Sequence, residues 1–306
     1  MDIQLSTATA THQTSTVKRA ELPPRVHGRL CLRFEARGDR NQTILAEGEQ
    51  RLPLRIVRAF QLDDGGALVH LHNLSGGVLG GDQLDVTVEA GPQAVAQVTS
   101  TGATRIYRSR ENSEPAEQRT RINIEEDGLV EYLPDQLIPF AGSSYRQETK
   151  VELGANAGLF WWETVAPGRE AHNETFAYDL LQLKTWIGAL GQPIAIEHMR
   201  IEPARRSVFS LARLGAYTFF STFYICRVGL ETARWSELER LLGELVERLS
   251  RLSEIVWGVS PLRAHGLVVR ALSVNSREIT TGLPEFWRVA KLFLYDRPAV
   301  LPRKVY

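Results

Sequence analysis

Two short stretches gather residue types able to do chemistry. The denser is His70-Leu-His-Asn-Leu-Ser-Gly-Gly-Val-Leu-Gly-Gly-Asp82. His70 and His72 are separated by one residue, so on a strand they point to the same face and could grip a metal together. No third ligand is placed by spacing, and two histidines on a strand are more often ordinary polar residues. The pairs Gly76-Gly77 and Gly80-Gly81 let the backbone take positive φ and let another chain or a ligand come close. Because no helical pattern follows, the loop is neither a dinucleotide nor a P-loop fingerprint. The plainer reading is a turn between two strands in which Asp82 caps exposed N–H groups.

The second stretch is Phe160-Trp-Trp-Glu163, followed by Gly168-Arg169 and Glu174. A carboxylate that emerges from an apolar run needs a partner, a cation or water, or its charged form is penalised. Arg169 is one candidate partner. Glu163 and Glu174 could also form the acid/base couple of a glycoside hydrolase, whose defining separation the sequence does not supply. The chain has no Gly-x-Ser-x-Gly elbow, no His-Glu-x-x-His and no recognisable Cys-His setting, so nucleophilic and zinc hydrolases lack their usual signals. The remaining histidines, His12, His27, His172, His198 and His265, carry no spacing signal.

The elements that must position these groups read mostly as strands. From Gly28, apolar Leu30, Leu32 and Phe34 alternate with polar Arg29, Arg33 and Glu35, the period of a half-buried strand. Similar runs recur at 67–71, 84–88, 94–100, 120–124, 129–133, 148–153, 159–162, 180–187, 197–201, 219–227 and 266–273. Many short strands without intervening helical patterns predict an all-β core, as sandwich, barrel or solenoid. Two segments break the pattern. Ser236 and Glu239 stand in a capping-box relation, with Leu238, Leu241, Leu242, Leu245, Leu249 and Leu252 at helical spacing, which predicts a helix with a solvated charged face. Residues 284–294 place Phe286, Val289, Ala290 and Phe293 on one face, with Pro284 at a first-turn position. No internal repeat is visible. The expected organisation is a disordered leader at 1–24, ending at Pro23-Pro24, and a single β-rich domain over 25–306.

Composition narrows the function classes. The 36 Lys and Arg balance 36 Asp and Glu, which argues against a nucleic-acid binder. No apolar run approaches the roughly 20 residues of a membrane-spanning helix; the longest, near 217–226, is about half that. Cys31 and Cys226 are too few for a disulfide framework or a cysteine-rich zinc site, and are expected as small hydrophobes in a reducing cytosol. The first 16 residues hold no Lys or Arg, so no secretory or transit peptide is expected.

Several blocks occur together in one known family. Gly76-Gly-Val-Leu-Gly-Gly-Asp82, Gly102-Ala-Thr-Arg-Ile-Tyr-Arg108, Glu131-Tyr-Leu-Pro-Asp-Gln-Leu-Ile-Pro-Phe-Ala-Gly142, Trp162-Glu163 with Gly168-Arg169 and Glu174, and Pro298-Ala-Val-Leu-Pro-Arg303 stand in the order found in the urease accessory proteins UreD, also called UreH. The chain resembles that family from residue 28 to its end. The resemblance implies a mainly β fold of many short strands in stacked, β-helical or solenoid-like sheets, with about two α-helices. It also implies a non-enzymatic cytoplasmic chaperone of metallocentre assembly. Such a protein binds apo-urease and the helical adaptor UreF, which recruits the GTPase UreG, and passes nickel through an internal tunnel.

A conduit of this kind holds no tight cofactor, only Ni²⁺ in transit. Oxygen donors suit it, because imidazole or thiolate cages would trap a metal this high in the affinity series. Carried over by motif, Asp82, Thr104, Glu163 and Glu174 are the expected tunnel lining. Gly76, Gly77, Gly80 and Gly81 would let backbone crowd the path. Arg105, Tyr107, Arg108 and Arg169 would fix the fold or a partner surface. Tyr132, Arg105 and Asn173 stand where the family often has Trp, Lys and Gly, and Gly282 and Pro284 interrupt a stretch expected to be helical, which would shorten or kink it. The alternatives are a β-solenoid glycoside hydrolase using Glu163 and Glu174, and a purely structural adaptor whose acidic residues are ion-paired.

Overall fold

In the computed structural model, which describes residues 25–38 and 42–301, alternation along each strand sorts side chains between an interior and an outer face. Leu30, Leu32 and Phe34 are buried while their neighbours reach solvent. The described strands are β1 (His27–Arg37), β2 (Gln42–Arg51), β3 (Leu54–Arg55), β4 (Ala59–Gln61), β5 (Ala67–Asn73), β6 (Gln83–Ala90), β7 (Val95–Ser100), β8 (Thr104–Ile106), β9 (Ala116–Ile124), β10 (Leu129–Leu133), β11 (Leu137–Pro139), β12 (Ser144–Leu153), β13 (Gly158–Val165), β14 (Leu180–Ala189), β15 (Gln192–Ile201), β16 (Phe219–Arg227), β17 (Ile255–Pro261) and β18 (Gly266–Ser273). Two α-helices, α1 (Thr232–Leu249) and α2 (Ser276–Tyr295), complete the set. The expected leader, and Pro302 and Arg303 of the terminal motif, lie outside the described residues.

The strands wind as a coil. One sheet runs β15-β14-β12-β9-β6-β1-β2, and the other runs β17-β18-β16-β13-β10-β7-β5-β3. From β5 to β14 the chain passes back and forth between the two, and each strand pairs in parallel with the strand one turn earlier. Thus Ala67 faces Ala96, Ala96 faces Val130, and Val130 faces Leu159. Val78, β8 and β11 form a short third side, also paired in parallel. The solenoid-like arrangement of stacked sheets is therefore present, and the sheets do not close into a barrel. The repeat lies in backbone pairing, which explains why the sequence shows none.

Two apolar layers result. Between the sheets pack Val69, Val98, Ile122, Val151, Trp161 and Leu181. On the far side of the second sheet, Phe160, Phe223 and Trp257 meet Leu238 and Leu242 of α1 and Phe286 and Trp287 of α2. Odd and even positions of β13 thus serve different layers, and Glu163, in phase with Trp161, points between the sheets.

Both helices start earlier than expected. The helix α1 begins at Thr232, Ser236 caps nothing, and its hydroxyl donates instead to the Thr232 carbonyl. The extra turn places Trp235 in register with Leu238, Leu242 and Leu245 on the buried face. The helix α2 is capped by Asn275, whose side chain accepts from the Glu278 N–H. Pro284 lies inside α2 rather than in its first turn, and the helix continues through it to Tyr295. Gly282 is required there, since a Cβ would sit 2.3 Å from the Trp257 ring. The strands β2, β3, β4, β8, β11 and β17 lie outside the runs expected from the sequence; β2 is a sheet edge with only Thr43 fully buried, so it lacks alternation.

Candidate functional site

The Gly-Gly-Asp loop joins β5 to β6 and packs against the chain around β8. Val78 donates its N–H to the Arg105 carbonyl, and Tyr107 returns one to Val78, both at 2.8 Å. Gly77 allows this approach, because a Cβ would meet both the Arg105 oxygen and the Tyr107 ring at 2.6 Å. Gly81 holds a φ of +89°, which other residues rarely adopt. Asp82 is buried, and its carboxylate accepts the Leu79 N–H at 2.9 Å. Its charge closes its own loop. Arg105 reaches the Gly76 carbonyl, Arg108 the Ala141 carbonyl, and Tyr107 stacks edge-on against Phe140, so these three brace the same region.

Beside the loop lies a cavity of about 260 Å³ whose wall includes His72, Gly77, Thr104, Gln118 and Tyr132. Asp82 is not part of that wall. From Gln118 a polar seam runs between the sheets. The Tyr145 hydroxyl lies 3.3 Å from Gln118 Oε1 and 3.2 Å from Gln147 Oε1, and Gln147 donates its side-chain N–H to Glu163. Burial pushes the Glu163 carboxyl up to about 7; the Gln147 hydrogen bond opposes this, and the charge of Glu197 adds to it. Tyr132 is raised to about 12, by burial and then by the Glu163 charge. Tyr145 is also raised, for the same reasons. Thr104 and Gln118 thus share one cavity wall, and hydrogen bonds lead from Gln118 inward to Glu163.

Glu174 belongs elsewhere. Arg169 grips it with two N–H groups, the Ala141 N–H donates to it at 3.0 Å, and the Arg169 guanidinium lies 4.2 Å over the Phe140 ring. The Arg169 bonds hold its carboxyl down at about 2. Arg169 thus partners Glu174, and the partner of Glu163 is Gln147. Glu174 is bound up in its own ion pair and, among the described residues, shares no hydrogen-bonding partner with Glu163.

Comparison with known proteins fits this geometry. The family described as UreD urease accessory protein matches residues 26–306. The chain is 46% identical over 282 residues to a urease accessory protein UreD of Herpetosiphon aurantiacus, covering 92% of this chain and 97% of the relative. It is 33% identical to that of Cenarchaeum symbiosum (81% and 86% covered) and 30% identical to that of Actinomyces naeslundii (83% and 89%). The chain belongs to the UreD family. Membership agrees with a role in urease maturation and with the coiled, strand-rich fold.

Two further features of this UreD chain complete the site. Among the described residues no group of three or more His, Cys, Asp or Glu is placed to hold a metal. His72 lines the cavity, while His70 meets the Phe60 ring edge-on. Sequence reasoning missed a buried ionic cluster on the helix side. Glu131 is fully buried and accepts from Trp287 Nε1 at 2.9 Å, from Lys291 Nζ at 3.1 Å and from Gln97 Nε2 at 3.3 Å. Lys291, 2% exposed, also reaches Asp64 at 3.4 Å. Burial drives the Glu131 carboxyl up, against the pull of Lys291. The available signal was a lysine one turn beyond Trp287 on the apolar face of α2, and a glutamate in the apolar run 129–133.

Proposed function

We propose that this protein is a non-enzymatic urease maturation chaperone that binds apo-urease and works in the cytoplasm with the UreF adaptor and the UreG GTPase. In this reading it conducts Ni²⁺ to the urease active site through its interior. The observation that carries the reading is the oxygen-rich row from the Thr104 cavity through Gln118, Tyr145 and Gln147 to Glu163. Amide, phenol and carboxylate oxygens bind a borderline divalent ion weakly enough to release it, which thiolates or clustered imidazoles would not. Glu163 near neutrality exchanges its proton for a cation at little cost, so it fits a transient site better than a permanently ionised carboxylate. Asp82 and Glu174 contribute by shaping the loops that flank this row.

The test is urease matured in the presence of Glu163→Gln or Thr104→Val protein at limiting nickel. The expected outcome is intact complexes but less nickel per urease active site. Full nickel loading with both variants would rule out the interior route, and full loading without the protein would rule out the chaperone role.

A further inference from the structure

Both sheets end at the same place. The strand β2 is the last of one sheet, and the short strands β3 and β4 are the last of the other. The outer edge of β5 is covered by β4 over 67–69 and by β3 at His72 and Asn73, so among the described strands the unpaired outer edges here are those of β2, β3 and β4 themselves. Open strand edges invite pairing with another chain unless they are blunted.

The side chains here are unusual for a solvent-facing edge. Leu52, Val57, Phe60 and Leu74 are 61%, 77%, 37% and 58% exposed, and the Leu74 N–H bonds the Pro53 carbonyl, which joins them into one region. Arg51, Arg55 and Arg58 are interleaved with them, all exposed, and none forms an ion pair among the described residues. Arg58 lies over the Phe60 ring at 4.5 Å. Arg51 stands directly opposite Arg29, a like-charge pairing that weakens a ladder, and Glu49 is engaged by Arg29. Elsewhere on the outer face of this sheet several cations are paired, as in Arg33 with Glu89, Arg119 with Glu117, and Lys150 with Glu152, while Arg121 and Lys184 form no ion pair among the described residues.

The segments outside the described residues carry Asp2, Glu21 and Asp39 against Lys18, Arg19, Arg40, Arg303 and Lys304. An acidic segment of another molecule would supply charge complementary to Arg51, Arg55 and Arg58. The edge also borders the candidate conduit, since Leu54, His72 and Asn73 line the Thr104 cavity.

We propose that residues 51–60 together with Leu74 form the docking surface for an acidic protein segment bearing apolar side chains, seated at the mouth of the cavity. A protein is favoured over an anionic bilayer because open strand edges are matched by another backbone's N–H and C=O groups, which lipid does not offer. The inference rests on the chaperone reading, in that the segment belongs to a urease maturation partner.

The experiment measures binding of the full chain to immobilised urease apoprotein and, separately, to the adaptor, at low and high salt. Variants are R51E/R55E/R58E, L52S/L74S and, as control, R119E, each checked for a cooperative melt. The expected result is binding to at least one probe that weakens with salt, falls about tenfold or more in the first two variants, and is unchanged in the control. Wild-type affinities in all three variants would overturn the surface while leaving the chaperone reading intact. Wild-type protein that bound neither probe would overturn that reading and the surface with it. Charge-dependent binding to phosphatidylserine vesicles instead of either probe would overturn the choice of a protein partner.

Discussion

Lys291→Met isolates the buried ionic cluster. Methionine keeps the length and packing of the lysine stem but removes the ammonium 3.1 Å from the fully buried Glu131 carboxylate. Trp287 and Gln97 still donate to it, yet neither carries charge. A carboxylate left without its cation at zero exposure protonates instead of remaining ionised. The cost at about pH 7 is then capped by protonating a group whose ordinary pKa is about 4.3, or about 3.7 kcal/mol at 1.36 kcal/mol per unit. With the wild-type pair near break-even, that is the expected loss, within the range for breaking a buried pair.

The sign follows from the direction of the shift. In the variant the folded-state pKa of Glu131 lies above the unfolded value, so its stabilising effect is present at acid pH and lost as pH rises. Acidifying from about pH 7 to about pH 5 should shrink the deficit by about 2.7 kcal/mol. Calorimetry should show a melting point lower by about 7–15 °C at neutral pH, and denaturant titration across pH should trace the recovery. Glu131→Gln combined with Lys291→Met should regain most of the loss. A Lys291→Met deficit that is small at neutral pH, or independent of pH, would refute the reasoning.

Two other outcomes follow from the geometry. Glu163, raised to about 7, contributes stability that is complete below its ordinary pKa and fades as pH rises toward 7; Glu163→Gln should flatten that part of the pH-stability curve, as read by denaturant unfolding. Gly77→Ala drives a methyl into the Arg105 carbonyl and the Tyr107 ring at 2.6 Å, so it should cost about 1–3 kcal/mol by the same assay.

Strand positions were legible because burial writes a period of two into the sequence, as in Leu30, Leu32 and Phe34. The coil was not, because Ala67, Ala96, Val130 and Leu159 share a place in the ladder without sharing a side chain. Helix starts failed where tertiary packing overrode local capping: Trp235 draws α1 out by a turn, and α2, capped at Asn275, runs on through Pro284 to Tyr295. Within the site, the acidic residues were found but their partners were misjudged. Arg169 is near Glu163 in sequence but bonds Glu174, whereas Gln147 reaches Glu163 from a neighbouring layer. The contact between Glu131 and Lys291 spans 160 residues, a separation at which local pattern carries no information.

The order of winding has a consequence during synthesis. Each turn from β6 to β14 needs only the turn already made, so the two-sheet body can assemble as the chain leaves the ribosome. The aromatic outer face of the second sheet has no such early partner. Phe160, Trp162 and Phe223 are covered by α1 and α2, both encoded after the coil, and Lys291, which closes over Glu131, arrives within the final residues of α2. A ribosome paused before codon 276 would therefore hold a wound body whose aromatic flank still lacks α2, and that interval is when a holding chaperone has most to offer.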